Sequence, residues 1–274
     1  MSFKAKIILD SVNGYTGTRL VTSELTYPRF IHAEFMTHRV FSRNAASSRA
    51  IPTKKMIAMV VENPAMPVYW GKNKRGMSAK REIDEISAAK SFWLDARDEA
   101  VHYARKMLEL GAHKQVVNRL LEPWKWMTVI VTATQFSNFF ALRDHEDAQP
   151  EIAHIARMWK KALDESVSVE REWHIPYIQD DEQGLPLETR LKASTARCAR
   201  VSYLTHDGVR SIDKDLELHK RLLTGGDTGH WSPFEHPARA MRLFQDELKT
   251  GHRRRSGNFL DWTQYRKMHD GECQ

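Results

Sequence analysis

The run Met-Thr-Val-Ile-Val-Thr-Ala-Thr at residues 127–134 is the strongest strand signal in the chain, since β-branched and small apolar residues fill it almost completely. The pattern changes period on both sides of it. Upstream, residues 79–110 carry Ile83, Ile86, Phe92, Trp93, Val101, Tyr103 and Met107 at helical spacing, and Gly111 supplies a helix stop. A short helix over 114–121 then ends before Pro123. Downstream, residues 135–143 read as a helix with Phe136, Phe139, Phe140 and Leu142 facing inward. A longer helix over 151–170 follows, capped from Asp147 or preceded by a turn at Pro150. A strand between such helices belongs to a sheet that helices cover.

The N-terminal part supplies partners for that strand. Residues 4–12 and 19–27 are two β-rich runs with Asn13-Gly14 between them, a hairpin signal. Pro28 suits the first position of a helix in which Phe30, Ile31, Phe35 and Met36 recur at helical spacing. That helix delivers Thr37, His38 and Arg39 at its C-terminal end. Residues 42–50 are small and polar, as suits a loop or short helix lining a site. An irregular stretch marked by Pro64, Pro67, Gly71 and Gly76 bears Tyr69 and Trp70. The acidic segment 180–186 reads as a linker. Helices are expected over 191–203 and 213–223, with a break at Gly225, Gly226 and Gly229, and 233–244 runs from a cap into a strand. The expected fold is α+β, a single domain over 1–274 with long helices packed around a modest, mostly antiparallel sheet.

Composition bounds the function. Of 274 residues, 41% are hydrophobic and 28% charged, with 8 Trp, 7 Tyr and 11 Phe, which excludes a chain dominated by disorder. Cys198 and Cys273 are too few for a disulfide framework or a four-thiolate zinc site. The apolar runs 56–61 and 127–131 are too short to cross a bilayer, and Lys4 and Lys6 precede only three apolar residues before Asp10. The expectation is a soluble, cytoplasmic protein. A net charge of +7 and a pI near 9.4 predict anionic partners such as nucleotides or phosphorylated cofactors. The cations are scattered, and the 252–255 run reads as a solvated loop, so nucleic acid is disfavoured.

Three constellations could carry chemistry. Thr37-His38-Arg39 precedes Ser47-Ser48-Arg49 by seven residues, and guanidinium forks with serine hydroxyls suit a phosphate. A helix end with solvated arginines explains the same residues without a ligand. Arg119 and Arg143 each lie beside apolar runs and need an anionic or carbonyl partner, either a ligand or a salt bridge to Asp144, Glu146 or Asp147. The segment His230-Trp-Ser-Pro-Phe-Glu-His236 places Ser232 and Glu235 around an aromatic anchor, without the H-E-x-x-H spacing of a zinc helix. No metal site is expected. No P-loop, G-x-G-x-x-G or G-x-S-x-G occurs, which argues against kinase, dinucleotide dehydrogenase and hydrolase chemistry.

Together these segments resemble the flavin-dependent thymidylate synthases. Thr37-His38-Arg39, seven residues and Ser47 resemble that family's R-H-R-x7-S signature. Arg119 to Pro123 and Asn138 to Arg143 resemble its R-x-x-x-P and N-F-x-x-L-R. His230 to His236 and Arg197-Cys-Ala-Arg200-Val-Ser202 resemble its H-x-T-P-F-E-H and R-A-A-R-V-S. The likeness covers about residues 28–49, 115–159 and 194–242. The last two motifs come first in the family, so the chain looks circularly permuted, with blocks 28–170 and then 190–244 and a join at 180–186. Thr37 stands where the family has Arg, and Ala45 where it usually has an acidic residue.

The resemblance implies FAD as cofactor, NADPH as reductant, methylenetetrahydrofolate as one-carbon donor and conversion of dUMP to dTMP in a homotetramer that shares its sites. It implies that His38, Arg39, Asn138, His230, Ser232 and Glu235 contact the flavin. It also implies that Glu34, Ser47, Ser48, Arg49, Arg119 and Arg143 contact the nucleotide, with Arg143, Arg39 and His38 as catalytic groups. The two departures leave open a related outcome, flavin-dependent hydroxymethylation of dUMP or dCMP.

Overall fold

Strand β2 (Arg19–Pro28) is the axis of the computed structural model, which describes residues 2–201, 210–224, 230–242, 256–270 and 272. It pairs antiparallel with β1 (Lys4–Val12) on one side and with β4 (Trp126–Ala133) on the other. Beyond β4 lies β3 (Ser42–Ala45), and the two-residue β5 (Val169–Glu170) runs parallel to β1. The sheet order is therefore β3-β4-β2-β1-β5, antiparallel except at that last edge. A second sheet joins β6 (Trp173–His174), β7 (Ala238–Ala240) and β8 (Trp262–Gln264).

Alternation along β2 and β4 gives the large sheet two different buried faces. Val21, Leu25 and Tyr27 with Met127, Val129 and Val131 form one apolar face. Helices α1 (His32–Met36), α5 (Ser137–Arg143) and α6 (Pro150–Asp164) close it with Phe35, Phe139, Ile155 and Trp159. Ser23 lies on this face too, and its hydroxyl accepts the Trp159 indole N–H at 2.8 Å. The other face carries Thr22 opposite Thr132 and Thr26 opposite Thr128, with hydroxyls 2.6 and 3.1 Å apart. His174 bridges Ser11 and Thr22 at 2.8 and 2.7 Å, and His236 meets Thr132 at 2.8 Å. All five of these relay residues are buried, and their hydroxyl and imidazole groups pair with one another except at His236 Nε2, which has no hydrogen-bond partner among the described residues. Helix α7 (Leu187–Arg200) and the small sheet cover this polar face.

A separate apolar cluster joins α2 (Thr53–Glu62), α3 (Ile86–Glu109) and α4 (Lys114–Val117) around Trp124. The remaining helix, α8 (Ile212–Thr224), packs on α7.

The α+β class holds, and several local expectations do not. The hairpin turn is a longer loop in which Gly17, at φ +73°, takes the left-handed position. Pro28 ends β2 instead of opening a helix. Residues 42–50 form an edge strand and a 3₁₀ turn at Ser48–Ala50. Helix α3 starts only at Ile86, and Phe92 and Tyr103 are 70% and 57% exposed, so the expected stripe faces partly outward. Leu142 is likewise 54% exposed. The helix expected over 151–170 stops at Asp164, since Val169 and Glu170 pair with β1. Helix α2 and strand β8 carried no expectation. The supposed linker contains a 3₁₀ turn (Asp180–Glu182) whose buried Glu182 holds α7. Ser202, Gly225, Gly226, Gly229, the 252–255 run and Cys273 lie outside the described residues.

Candidate functional site

The edge strand β3 and the 3₁₀ turn after it build one wall of a cleft of about 360 Å³. Asn44, Ser47 and Arg49 come from this wall, Leu222 from α8, and His230 and Ser232 from the turn ahead of β7. The 3₁₀ turn is held from behind. Buried Asn118 donates through its side-chain amide to the carbonyls of Ser48 and Ile51 at 2.8 and 2.9 Å. The Ser48 hydroxyl donates to Glu122 Oε1 at 2.6 Å, so it points inward while Ser47 and Arg49 line the cleft. Glu122 also pairs with Arg119 at 2.8 Å and Arg29 at 3.6 Å. Arg119 is therefore held by a carboxylate three residues on, and not by the acidic residues after Arg143.

A second group forms where α1 ends against α5. Arg143 Nε donates to His38 Nε2 at 2.9 Å, so that ring nitrogen presents its lone pair and the proton sits on Nδ1. Burial, then Arg143 and Arg43, push the His38 pKa down to about 4, which keeps the ring neutral. Phe139 and Phe41 pack around the ring. Arg143 Nη2 donates to the Thr37 hydroxyl at 3.2 Å and reaches the Glu34 carbonyl at 3.5 Å. Neither Arg143 nor Arg43 forms an ion pair among the described residues. Asp144, one of the expected partners of Arg143, instead holds Arg157 at 3.0 Å and Lys160 at 3.8 Å. Arg43 extends from β3 to the end of α1, where its Nη1 donates to the carbonyls of His38, Met36 and Phe35 at 2.9, 3.2 and 3.4 Å. Burial lowers its pKa, the cost of a half-buried cation without a carboxylate.

The structure thus gathers Ser47, Arg49, His230 and Ser232 in one cleft, and Glu34, Thr37, His38 and Arg143 in one hydrogen-bonded group. Strand β3 connects them, with Arg43 reaching the second group and Asn44 lining the cleft. Arg39 and Asn138 are exposed and join neither. One carboxylate oxygen of Glu34, Oε2, is buried without a hydrogen-bond partner. Glu235 is committed to Arg266 at 2.6 Å, a pairing no motif announced. With Glu235 held there and His236 buried on Thr132, the His230–His236 segment does not converge. Among the described residues no group of three or more His, Cys, Asp or Glu side chains is placed to hold a metal.

Asn118 and Glu122 support the cleft wall and were missed by sequence reasoning. Glu122 lies inside a motif that had been read for its arginine and proline. Asn118 acts across the fold, which spacing along the chain does not reveal. Arg197 and Arg200, by contrast, are structural. Arg197 makes two 2.6 Å bonds to Glu182 and one of 2.9 Å to Asp215, which also holds Arg200 at 2.7 Å. Cys198 between them is fully buried, and burial pushes its thiol pKa up, away from a reactive thiolate.

Comparison with known proteins adds the following. Two solved structures of a UMP/dUMP methylase PolB from Streptomyces cacaoi are similar to this chain, one bound with 5-Br dUMP and one with 5-Br UMP. The first is 15% identical, with a TM-score of 0.49, and the likeness covers 59% of this chain and 90% of that one. The second is 14% identical, with a TM-score of 0.49, over 59% and 88%. No curated protein matches the sequence. Residues 20–167, more than half of the chain and including β2, β3, β4, α5 and α6, match the family described as thymidylate synthase complementing protein. With this match spanning both walls of the His38–Arg143 group and the Ser47–Arg49 turn, the chain belongs to the thymidylate synthase complementing protein family.

Proposed function

We propose that this protein is an FAD-dependent thymidylate synthase that converts dUMP to dTMP with methylenetetrahydrofolate and NADPH. The observation that carries the reading is the cleft that joins Ser47 and Arg49 to His230 and Ser232, residues distant in sequence that two separate motifs had marked. Hydroxyl and guanidinium donors on one wall suit a nucleotide phosphate. Exposed Arg49 gives that wall an open positive charge, and the Asn118 and Glu122 contacts fix the turn that carries it. Arg143 keeps its Nη1 amino group without a hydrogen-bond partner among the described residues. On this reading Nη1 faces a pyrimidine carbonyl, where a fixed cation favours electron build-up in the ring as C5 becomes nucleophilic. Neutral His38 orients Arg143 without competing for the ligand's negative charge.

The donor set fits a flavin dinucleotide in part. His230 and Ser232 offer polar groups in the cleft and Asn138 an exposed amide, whereas Glu235 already holds Arg266. FAD, when bound, supplies the hydride that reduces a transferred methylene to methyl. A cleft of about 360 Å³ on one chain takes only part of such ligands, which accords with a homotetramer that shares its sites. The reading treats the chain as one domain with its family segments in permuted order.

The visible absorption spectrum with added FAD and dUMP tests the reading, followed by the mass of the nucleotide product. Bound flavin perturbed by dUMP, with dTMP formed, is the expected result. A colourless protein that retains no flavin would overturn it. A hydroxymethyl product would replace methylation with the related outcome that the residues at positions 37 and 45 leave open.

A further inference from the structure

The Thr37 hydroxyl occupies an unusual position between α1 and α5. It donates to the carbonyl of Glu34 at 2.7 Å, three residues back in the same turn. A hydroxyl has one proton to give, so only its lone pairs remain for other partners. One of them accepts from Arg143 Nη2 at 3.2 Å. The Nε and Nη2 donors lie on the same edge of a guanidinium, and His38 Nε2 takes the other of the two at 2.9 Å. Thr37 and His38 therefore fill that whole edge, and both do so as neutral acceptors.

The consequence is directional. A single contact at Nε leaves the guanidinium free to swing about its long side chain. Two neighbouring acceptors on one edge fix its plane and leave the other edge, with Nη1, without a hydrogen-bond partner among the described residues. A carboxylate in either place would hold the group more tightly but would neutralise it. Arg43 supports the arrangement from behind by binding the carbonyls of Phe35, Met36 and His38, the backbone that carries both acceptors. An arginine at position 37 would place another guanidinium against Arg143 and remove the acceptor.

We propose that Thr37 is a positioning residue for Arg143: its hydroxyl, polarised by the Glu34 carbonyl, fixes the plane in which Arg143 offers its free edge to a planar carbonyl-bearing ligand. The inference deepens the proposed function and rests on it for the identity of that ligand.

The test compares Thr37→Val, which keeps the shape and removes the hydroxyl, with Thr37→Ser, which restores it. Two readouts are needed. The first is the Arg143 Nε–H resonance in a ¹⁵N spectrum, assigned by its loss in Arg143→Lys and followed without any ligand. It is expected to be protected from exchange in wild type and Thr37→Ser and broadened in Thr37→Val. The second is turnover of dUMP, where Thr37→Val should lower kcat about 10-fold with KM changed less than about 2-fold, as a misplaced catalytic group does, and Thr37→Ser should recover it. An Arg143 signal as well protected in Thr37→Val as in wild type overturns the proposal. So does undiminished kcat in that variant when wild type is active. A protected signal lost only in Thr37→Val, in a wild type that neither binds nor converts dUMP, overturns the proposed function and leaves the positioning role supported.

Discussion

Two arginine-bearing segments of this protein have opposite surroundings. Arg197 and Arg200 on α7 are locked by Glu182 and Asp215, carboxylates of the same chain. Arg143, Arg43 and Arg49, around α5 and β3, have no carboxylate within ion-pair distance among the described residues. The first set is satisfied by the fold. Of these, Arg43 and Arg143 are held by carbonyls, a hydroxyl and an imidazole, which orient a cation without cancelling its charge, and Arg49 is exposed. On the proposed function, the difference separates arginines that join parts of the structure from arginines kept for an anionic or carbonyl-bearing ligand.

Each side of that contrast can be broken. Arg197→Ala should leave buried Glu182 and Asp215 without their shared cation and lower unfolding free energy by about 3–5 kcal/mol in urea titration. Arg143→Ala should lower kcat about 10²- to 10³-fold, the range for removing a preorganised charge-stabilising donor, while the melting temperature moves little. A stable, fully active variant would place Arg143 on the structural side. Arg49→Ala should raise the nucleotide KM about 10-fold at nearly constant kcat, as loss of a charge-assisted hydrogen bond does. Equal KM values would remove Arg49 from the site.

A separate effect, on stability against pH, concerns the polar face of the sheet. Burial drives the His236 pKa down from 6.5 to about 3 and lowers that of His174 as well. On acidification the unfolded chain takes up these protons first, so their contribution is intact above pH 6.5 and erodes below it, for His236 down to about 3. Stability should fall by roughly 1 kcal/mol per pH unit per histidine in that window. A urea midpoint that stays flat from pH 6.5 to 4.5 would show that the two rings are not buried neutral.

The central strands were legible because their chemistry is local. Residues 127–134 are dense in β-branched side chains and 19–27 mix β-branched with aliphatic and aromatic ones, and both became the middle of the sheet. Helices with steady apolar spacing, such as α6, were legible for the same reason. Failures came where another segment decided the outcome. Residues 42–45 have little strand propensity of their own and are extended because β4 offers them an open edge. The 180–186 segment looks like a linker by composition, yet Arg197 fixes its carboxylate from another element. Phe92 and Tyr103 fit a helical stripe, but the partner surface covers a narrower arc than the stripe.

The sequence by itself determined the α+β class, the strand and helix types of the strongest segments, the likeness to one enzyme family, and the residue types that could meet an anionic ligand. These follow from short-range periodicity and motif spacing. Only the tertiary structure decided which arginines are open and which are neutralised. It also turned Ser48 inward to Glu122, committed Glu235 to Arg266, and set Thr37 against Arg143. The physical reason is that a polar group's state depends on the partner that desolvates and pairs it, and in each long-range case that partner sits far away in the chain.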